Sequence, residues 1–395
     1  MCAAEGVPAP SVIQLLEHLL GDADRLGMKL AQRILASQPA YASTPDIELD
    51  QLRDVARRNL AWSIRQMAGS LPPELSEPAE ARATGRLRAQ QGIPLEAVLS
   101  AYRLGGQLIW EEMLAVHRGT SLTTPNELLD AANWVWQGQE IETTAVIAAY
   151  REEAAHLQQQ DVRRQQFILD GLLSGRGSDL NFAREASRVL NLPETGRMVC
   201  VVALRTGNGA EAMPDLPRGT AEIRSAWGLR GEIEMGLVLQ SDDPDRLLHL
   251  LRRHARGRIG VSPEVEGIAD APRAYRLAEL AARTARDGEV ITLPERLPEA
   301  LLVAAGELTP LLSEYTLRSF DTVASPERAA LIQTLDALIS SDWSPSRAAG
   351  VLHCHRNTVT YRLARIQKLY GSEIGDARAK LLWTLAVLAD GMVGQ

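Results

Sequence analysis

The sequence predicts a mainly α-helical, multi-domain chain: all-α at its N-terminal and C-terminal ends, with one α+β domain between them. Three observations carry this. The chain has 395 residues, enough for about two to three domains at roughly 150 residues each. Apolar residues recur three and four apart along most of it, the spacing of a buried helix face. Only in the middle, from about residue 175 to 300, do short Val-rich runs bounded by glycine interrupt that period, as buried strands do.

Residues 10 to about 170 read as almost entirely helical. Ile13, Leu16, Leu19 and Leu20, then Leu52, Val55, Leu60 and Ile64, line up on helix faces. Breaks are expected at Gln38-Pro39, Thr44-Pro45, Leu71-Pro72-Pro73 and Thr124-Pro125. The opening Pro8 to Pro10 reads as a frayed tail. A helix is expected over Leu95–Leu114, and another start at Thr124-Pro125-Asn126-Glu127, with proline in the first turn. From Ile141 to Leu173 a long polar helix is expected. One heptad seam there is apolar (Ile141, Ala148, Ala155, Val162, Leu169) and the other mostly polar (Ala145, Glu152, Gln159, Gln166, Leu173). Half a seam fits a dimer stalk and a solvated connecting helix equally well. Trp134 and Trp136 read as core or interface before pocket, and Tyr102 with Arg103 as structural.

In the middle region, Met198–Leu204 reads as a buried strand between Gly196 and Gly207. Glu232–Leu239 reads as a second, after a turn over Gly228–Gly231, and Arg258–Ser262 as a third. Pro244–Ala255 and Pro272–Arg286 read as helices. Leu308–Ala324 is a helical connector, and helices return from Pro326.

Composition narrows the function. No apolar run approaches the roughly 18 residues of a membrane span, and the N-terminus has no secretory pattern. Cys2, Cys200 and Cys354 are an odd number without metal-like spacing, as expected in a reducing cytoplasm. No Gly-rich phosphate loop or nucleophile elbow appears. Net charge is −8, which as an average argues against nucleic acid, but charge acts locally. From Trp343 to Ser372 there is no Asp or Glu, while Arg347, Arg356, Arg362, Arg365 and Lys368 give +5, leaving −13 for the rest.

That basic window holds the most informative stretch. Ser346 is a candidate N-cap, and Ala348, Ala349 and Leu352 would face inward on a short helix. After a tight turn at His353–His355, a second helix would bury Val359, Leu363 and Ile366. Small residues at 348 and 349 let two helices cross closely, as a helix-turn-helix requires. With that face buried, His355, Arg356, Asn357, Thr358, Thr360, Tyr361 and Arg362 are presented at the positive end of a helix dipole. Guanidinium forks, amides and hydroxyls suit phosphates and base edges in a major groove. His353-Cys354-His355 reads as a turn and N-cap, since adjacent residues rarely aim three donors at one ion.

The stretch closely resembles the C-terminal helix-turn-helix of the PucR (CdaR-like) transcriptional regulators. The resemblance rests on Ala348-Ala349, His355-Arg356-Asn357-Thr358, Tyr361-Arg362-Leu363 and Arg365-Ile366, with Leu331–Leu335 upstream and the Ala-Leu-rich helix Arg378–Ala389 behind. Ser344 stands where the family often has Asn, and Thr360 where it often has a basic or bulky residue. Residues 185 to 295 resemble the degenerate GGDEF-like domain that precedes this module in the family. Their hairpin reads Arg230-Gly-Glu-Ile-Glu-Met235, with one glycine missing and the acidic pair interrupted by Ile233. The stretch Gly92–Gly105 and its surroundings resemble the helical N-terminal domain of RsbR-type stress co-antagonists.

The resemblance implies a helical sensor-like domain over 10–165, a degenerate GGDEF-like domain over 166–305, and a connector with helix-turn-helix over 306–395. It implies a cytoplasmic, sequence-specific DNA-binding regulator under upstream control, without catalysis, cofactor or metal. Arg356, Asn357, Thr358 and Tyr361 are the expected groove contacts, and Arg347, Arg362 and Arg365 the expected phosphate contacts. Double-stranded DNA is the expected partner. A homodimer or higher homo-oligomer follows because one such helix makes too few base contacts for genomic specificity. A small-molecule effector is left open in identity, and no membrane is involved. The competing class is a stress-signalling scaffold subunit acting through protein contacts.

Overall fold

The computed structural model describes residues 8–72, 77–120, 122–205, 211–213, 216 and 223–393. Cys2 and the Gly207 boundary of the first strand lie outside them. The chain divides into two compact units, one through Val162 and one from Arg163.

The first unit is helical throughout: α1 (Pro10–Gly21), α2 (Ala23–Ser37), α3 (Pro39–Ala42), α4 (Leu49–Met67), α5 (Ala79–Gln90), α6 (Leu95–Thr120) and the first part of α7 (Pro125–Leu173). The predicted period is the one that packs. Leu15, Leu16 and Leu19 of α1, Leu26 and Leu30 of α2, Leu60 and Ile64 of α4, and Leu108 and Met113 of α6 share one core. The frayed-tail expectation is corrected. Pro10 opens α1, and Ala9 packs against the core together with buried Val12. Glu112 on α6 receives Arg25 at 2.8 Å and Lys29 at 2.7 Å from α2. The Arg25 hydrogen bond chiefly holds its carboxyl below the usual range.

α7 runs unbroken for 49 residues, joining what the sequence suggested as a start at 125 and a separate helix from 141. A capping box opens it. The Thr124 amide donates to Glu127 Oε2 at 2.7 Å, and the Glu127 amide donates to Thr124 Oγ1 at 3.3 Å. Of the apolar heptad seam, Ile141, Ala148, Ala155 and Val162 are exposed and only Leu169 is buried. Trp136 is exposed and Trp134 half-buried against the core.

The second unit begins with the end of α7, α8 (Leu180–Leu190) and a 6-stranded sheet in the order β2-β3-β1-β4-β6, with β5 also pairing with β1. The strands are β1 (Thr195–Leu204), β2 (Ser225–Arg230), β3 (Ile233–Leu239), β4 (Arg258–Val261), β5 (Val265–Gly267) and β6 (Val290–Thr292). β1 is antiparallel to β3, β4 and β5, and β4 is parallel to β6. The Val-rich run of β1 is explained by cover on both faces. Met198, Cys200 and Val202 pack with Ile168, Phe182 and Ala278, while Val199, Val201 and Ala203 pack with Leu247 and Leu251. The latter two lie on α9 (Pro244–His254), and Ala278 on α10 (Ala271–Thr284).

β2, β5 and β6 were not expected from the sequence. Much of β2 falls where a turn was expected; it pairs with β3 through Arg230↔Ile233, leaving Gly231-Glu232 as the turn. Gly231 has φ +63°, as the first turn position of a tight hairpin requires. β5 and β6 span 3 residues each, too short for a period to show. The expected connector also breaks: α11 (Leu297–Ala304) is followed by α12 (Leu308–Leu317), then a 3-10 turn over Arg318–Thr322. No helix among the described residues is long and apolar enough to cross a membrane.

Candidate nucleic-acid interface

The basic window folds as α14 (Pro345–Val351) and α15 (Arg356–Tyr370), between α13 (Ser325–Ser340) and α16 (Ala377–Val393). Its packing follows from small residues. Ala348 and Ala349 of α14 are buried with Ala337 and Leu338 of α13 and Val359 of α15; Leu352 and Leu363 pack at the edge. Ile366 instead joins a second cluster with Leu331, Leu335, Phe320 and Trp383. Trp383 stacks on Phe320 at 5.7 Å and meets Tyr370 edge-on at 5.0 Å, so α15 is gripped on both sides.

Both ends of the turn are chemically defined. The N-cap of α14 is Ser344, whose hydroxyl accepts from the Arg347 amide at 3.5 Å. This corrects Ser346. Pro345 lacks an N–H and is suited to the first helical position, so the cap falls on the residue before it. α14 ends in a Schellman motif: Cys354 N–H donates to the Ala349 carbonyl at 3.0 Å and His353 N–H to the Gly350 carbonyl at 3.3 Å. His353 takes the left-handed position with φ +49°, one usually given to glycine. His355 caps α15, its Nδ1 accepting from the Asn357 amide at 3.2 Å. Among the described residues no group of three or more His, Cys, Asp or Glu could hold a metal.

The expected site residues fall into two sets. His355, Arg356, Asn357, Thr360 and Tyr361 are exposed and Thr358 half-buried over the first turns of α15. Tyr361 is 73% exposed. Thr360 Oγ1 donates to the Arg356 carbonyl at 3.1 Å, so its proton is engaged. The guanidinium of Arg356 and the side chains of Asn357 and Tyr361 make no hydrogen bond to any described residue. The expected phosphate contacts differ. Arg347 donates to the Ser341 carbonyl at 3.0 Å and pairs with Asp342 at 3.2 Å. Arg362 donates to Thr334 Oγ1 at 3.3 Å, and Arg365 pairs with Glu327 at 2.9 Å. Acidic groups outside the acid-free window, Asp342 beside it and Glu327 on α13, therefore meet two of its cations. Lys368 and Ser346, outside the expected contact set, are also exposed, and the charge of Lys368 is already visible in the window.

Three domain families match the chain in order. Residues 24–165 match the RsbT co-antagonist protein rsbRD N-terminal domain, residues 174–284 the GGDEF-like domain, and residues 331–389 the PucR C-terminal helix-turn-helix domain. No curated protein matches. Among solved structures, the chain is similar to a regulator of polyketide synthase expression from Bifidobacterium adolescentis, at 18% identity and a TM-score of 0.30. That match covers 59% of this chain and 100% of the other, and is too loose to bear on function.

Proposed function

We propose that this chain, whose three domain matches stand in the order expected of a PucR-type (CdaR-like) regulator, reads DNA sequence through α15 under control of its upstream domains. The observation that carries this is the unspent polar row of Arg356, Asn357 and Tyr361 on the opening turns of a helix whose opposite face is buried. Arg356, Asn357, Thr358 and Tyr361 meet base edges, with His355 and Thr360 beside them. Arg347, Arg362 and Arg365 reach phosphates by exchanging their internal partners. A second copy of the chain supplies the second half-site. We divide the chain as 10–165, 166–305 and 306–395 and place its action in the cytoplasm. The net −13 of the remaining chain favours restraint of the basic module until a signal reaches the helical domain.

The test is a salt titration of DNA binding by the full chain, on fragments enriched from genomic DNA. Arg356→Ala costs about 1–3 kcal/mol on the enriched site. Arg365→Ala weakens binding to all sequences and flattens the salt slope. Unchanged binding in both, with the fold intact by circular dichroism, overturns the assignment, and a chain that shifts no DNA points to the scaffold class instead.

The middle domain is read as catalytically inert. Glu232 lies in the turn and Glu234 in the strand, with Ile233 between them and Gly231 alone before them. Cyclase chemistry needs the hairpin to approach phosphate while carboxylates hold metal. Incubation with GTP and Mg²⁺ yields no cyclic dinucleotide by chromatography; product above a no-protein control reverses this reading.

A further inference from the structure

The helical N-terminal unit contains a cavity of about 60 Å³ that DNA recognition does not use. Its walls are aliphatic: Leu30 and Ile34 from α2, Leu52 and Leu60 from α4, Ile109 from α6 and Val135 from α7. Beside Tyr41 and Tyr102, a cation and a carboxyl also line it, Arg88 from α5 and Glu142 from α7. They are 1% and 6% exposed.

Neither is fully satisfied by the protein. Arg88 donates one bond, NH1 to Gln91 Oε1 at 2.5 Å, and its guanidinium lies over the Tyr41 ring at 5.3 Å. Its Nε and other terminal nitrogen have no partner, and neither has Glu142 Oε1. Among the described residues no carboxylate pairs with Arg88. Tyr102 feels both charges, and its hydroxyl donates to Asn59 Oδ1 at 2.8 Å. A buried group left unpaired is costly, and a guanidinium cannot escape by losing its proton. Water could satisfy its hydrogen bonds but not its charge. Two adjacent unspent donors form the edge that takes a carboxylate bidentately.

Size limits the ligand. In this measure one water takes about 10–15 Å³, so the cavity admits a molecule of about half a dozen heavy atoms. We propose that this cavity binds a short-chain carboxylate of about two to four carbons, its carboxylate on the free edge of Arg88 and its hydrocarbon part against the aliphatic wall. A hydroxyl or oxo substituent strengthens binding by hydrogen-bonding Glu142. Burial pushes the Glu142 carboxyl up to about 8, against a weaker opposing pull from Ser63, so at neutral pH it is largely a donor.

The site deepens the proposed upstream control by naming a ligand class, yet it is tested without DNA, so its failure is separate from failure of the DNA-binding reading. The full chain is titrated by ligand-observed NMR with butyrate, 3-hydroxybutyrate, the neutral isostere butyramide, n-butylamine and the longer octanoate. Expected is saturable binding of butyrate, tighter for 3-hydroxybutyrate and at least tenfold weaker for butyramide, with butylamine and octanoate excluded. Arg88→Gln loses butyrate binding tenfold or more. Gly105→Ala is the second variant. Gly105 lines the cavity, and a Cβ there meets Leu30 at 3.5 Å and Leu60 at 3.9 Å, ordinary distances in a helix that alanine favours. It keeps the fold and weakens butyrate by narrowing the space, and decides the matter if Arg88→Gln unfolds. No binding of either acid, equal binding of butyrate and butyramide, or butyrate binding unchanged in the folded variants overturns the proposal.

Discussion

Glu142 links a single residue to the behaviour of a whole unit. Burial raises its carboxyl from 4.5 to about 8. The folded state therefore holds a proton that the unfolded state releases at lower pH. Stability from this group is full below the ordinary carboxylate range and is lost as pH rises through about 8, at up to about 1.4 kcal/mol per pH unit inside that window. Ser63 opposes the rise, and the Tyr102 hydroxyl is the titratable neighbour that feels Glu142. Glu112 works in the opposite sense: its lowered carboxyl favours folding above the usual range and is lost only in acid. Urea denaturation between pH 5 and 8 reads the difference. The wild-type chain loses stability of the helical unit with rising pH, and Glu142→Gln flattens that slope. An equal slope in both chains removes Glu142 as the cause.

Among the elements, α7 is unusual because its environment changes along its length. Ala145, Val146 and Ala149 are buried in the helical core, and Ile168, Leu169 and Leu172 in the sheet-bearing unit. Between them, residues 151–164 show no buried side chain. A solvated helical segment of this length is near break-even in water, so its identity as helix comes from the anchored ends. Proline separates the two regimes, since it removes a backbone bond and clashes with the preceding turn at about 3 kcal/mol. Gln158→Pro is expected to leave cooperative unfolding of both units nearly intact, because the solvated span can give way alone. Ala149→Pro, in the packed part, should unfold the helical unit. Circular dichroism melts distinguish the pair, and equal damage by both would mean that the middle of α7 contributes to a core.

At the scale of the whole molecule, an exposed apolar patch bears on assembly. Leu308, Leu311 and Tyr315 of α12 and Leu381 of α16 are exposed, Tyr315 at 78%. Leu308, Leu311 and Tyr315 border a groove that also includes Leu382 and Leu385. Large apolar side chains gathered in one surface patch mark contact sites more often than isolated ones do. This patch lies in the same unit as the helix-turn-helix and suits the proposed dimer. Leu311→Asp places a charge in it at little cost to the monomer, since Leu311 is already exposed. The expected result is a smaller species by light scattering, with unchanged circular dichroism and weaker DNA binding. An unchanged oligomeric state moves the interface elsewhere.

The sequence by itself determined the local features of this protein. Helical periods, the proline starts of α7 and α9, the doubly buried run of β1 and the packed positions Ala348, Ala349, Val359 and Ile366 were legible because each is encoded within one or two turns of chain. The acid-free window and the exposed row from His355 to Tyr361 were legible for the same reason. Tertiary structure decided what depends on residues far apart. β2, β5 and β6 became strands through their neighbours in the sheet, not through a period of their own. Arg365 found Glu327 across 38 positions and Arg362 found Thr334 across 28, partners that no local pattern announces. The same holds for Arg88 and Glu142. In sequence they are unremarkable members of polar helices, and only the packing of α2, α4, α5, α6 and α7 places both on one cavity, where a missing partner carries an energetic cost.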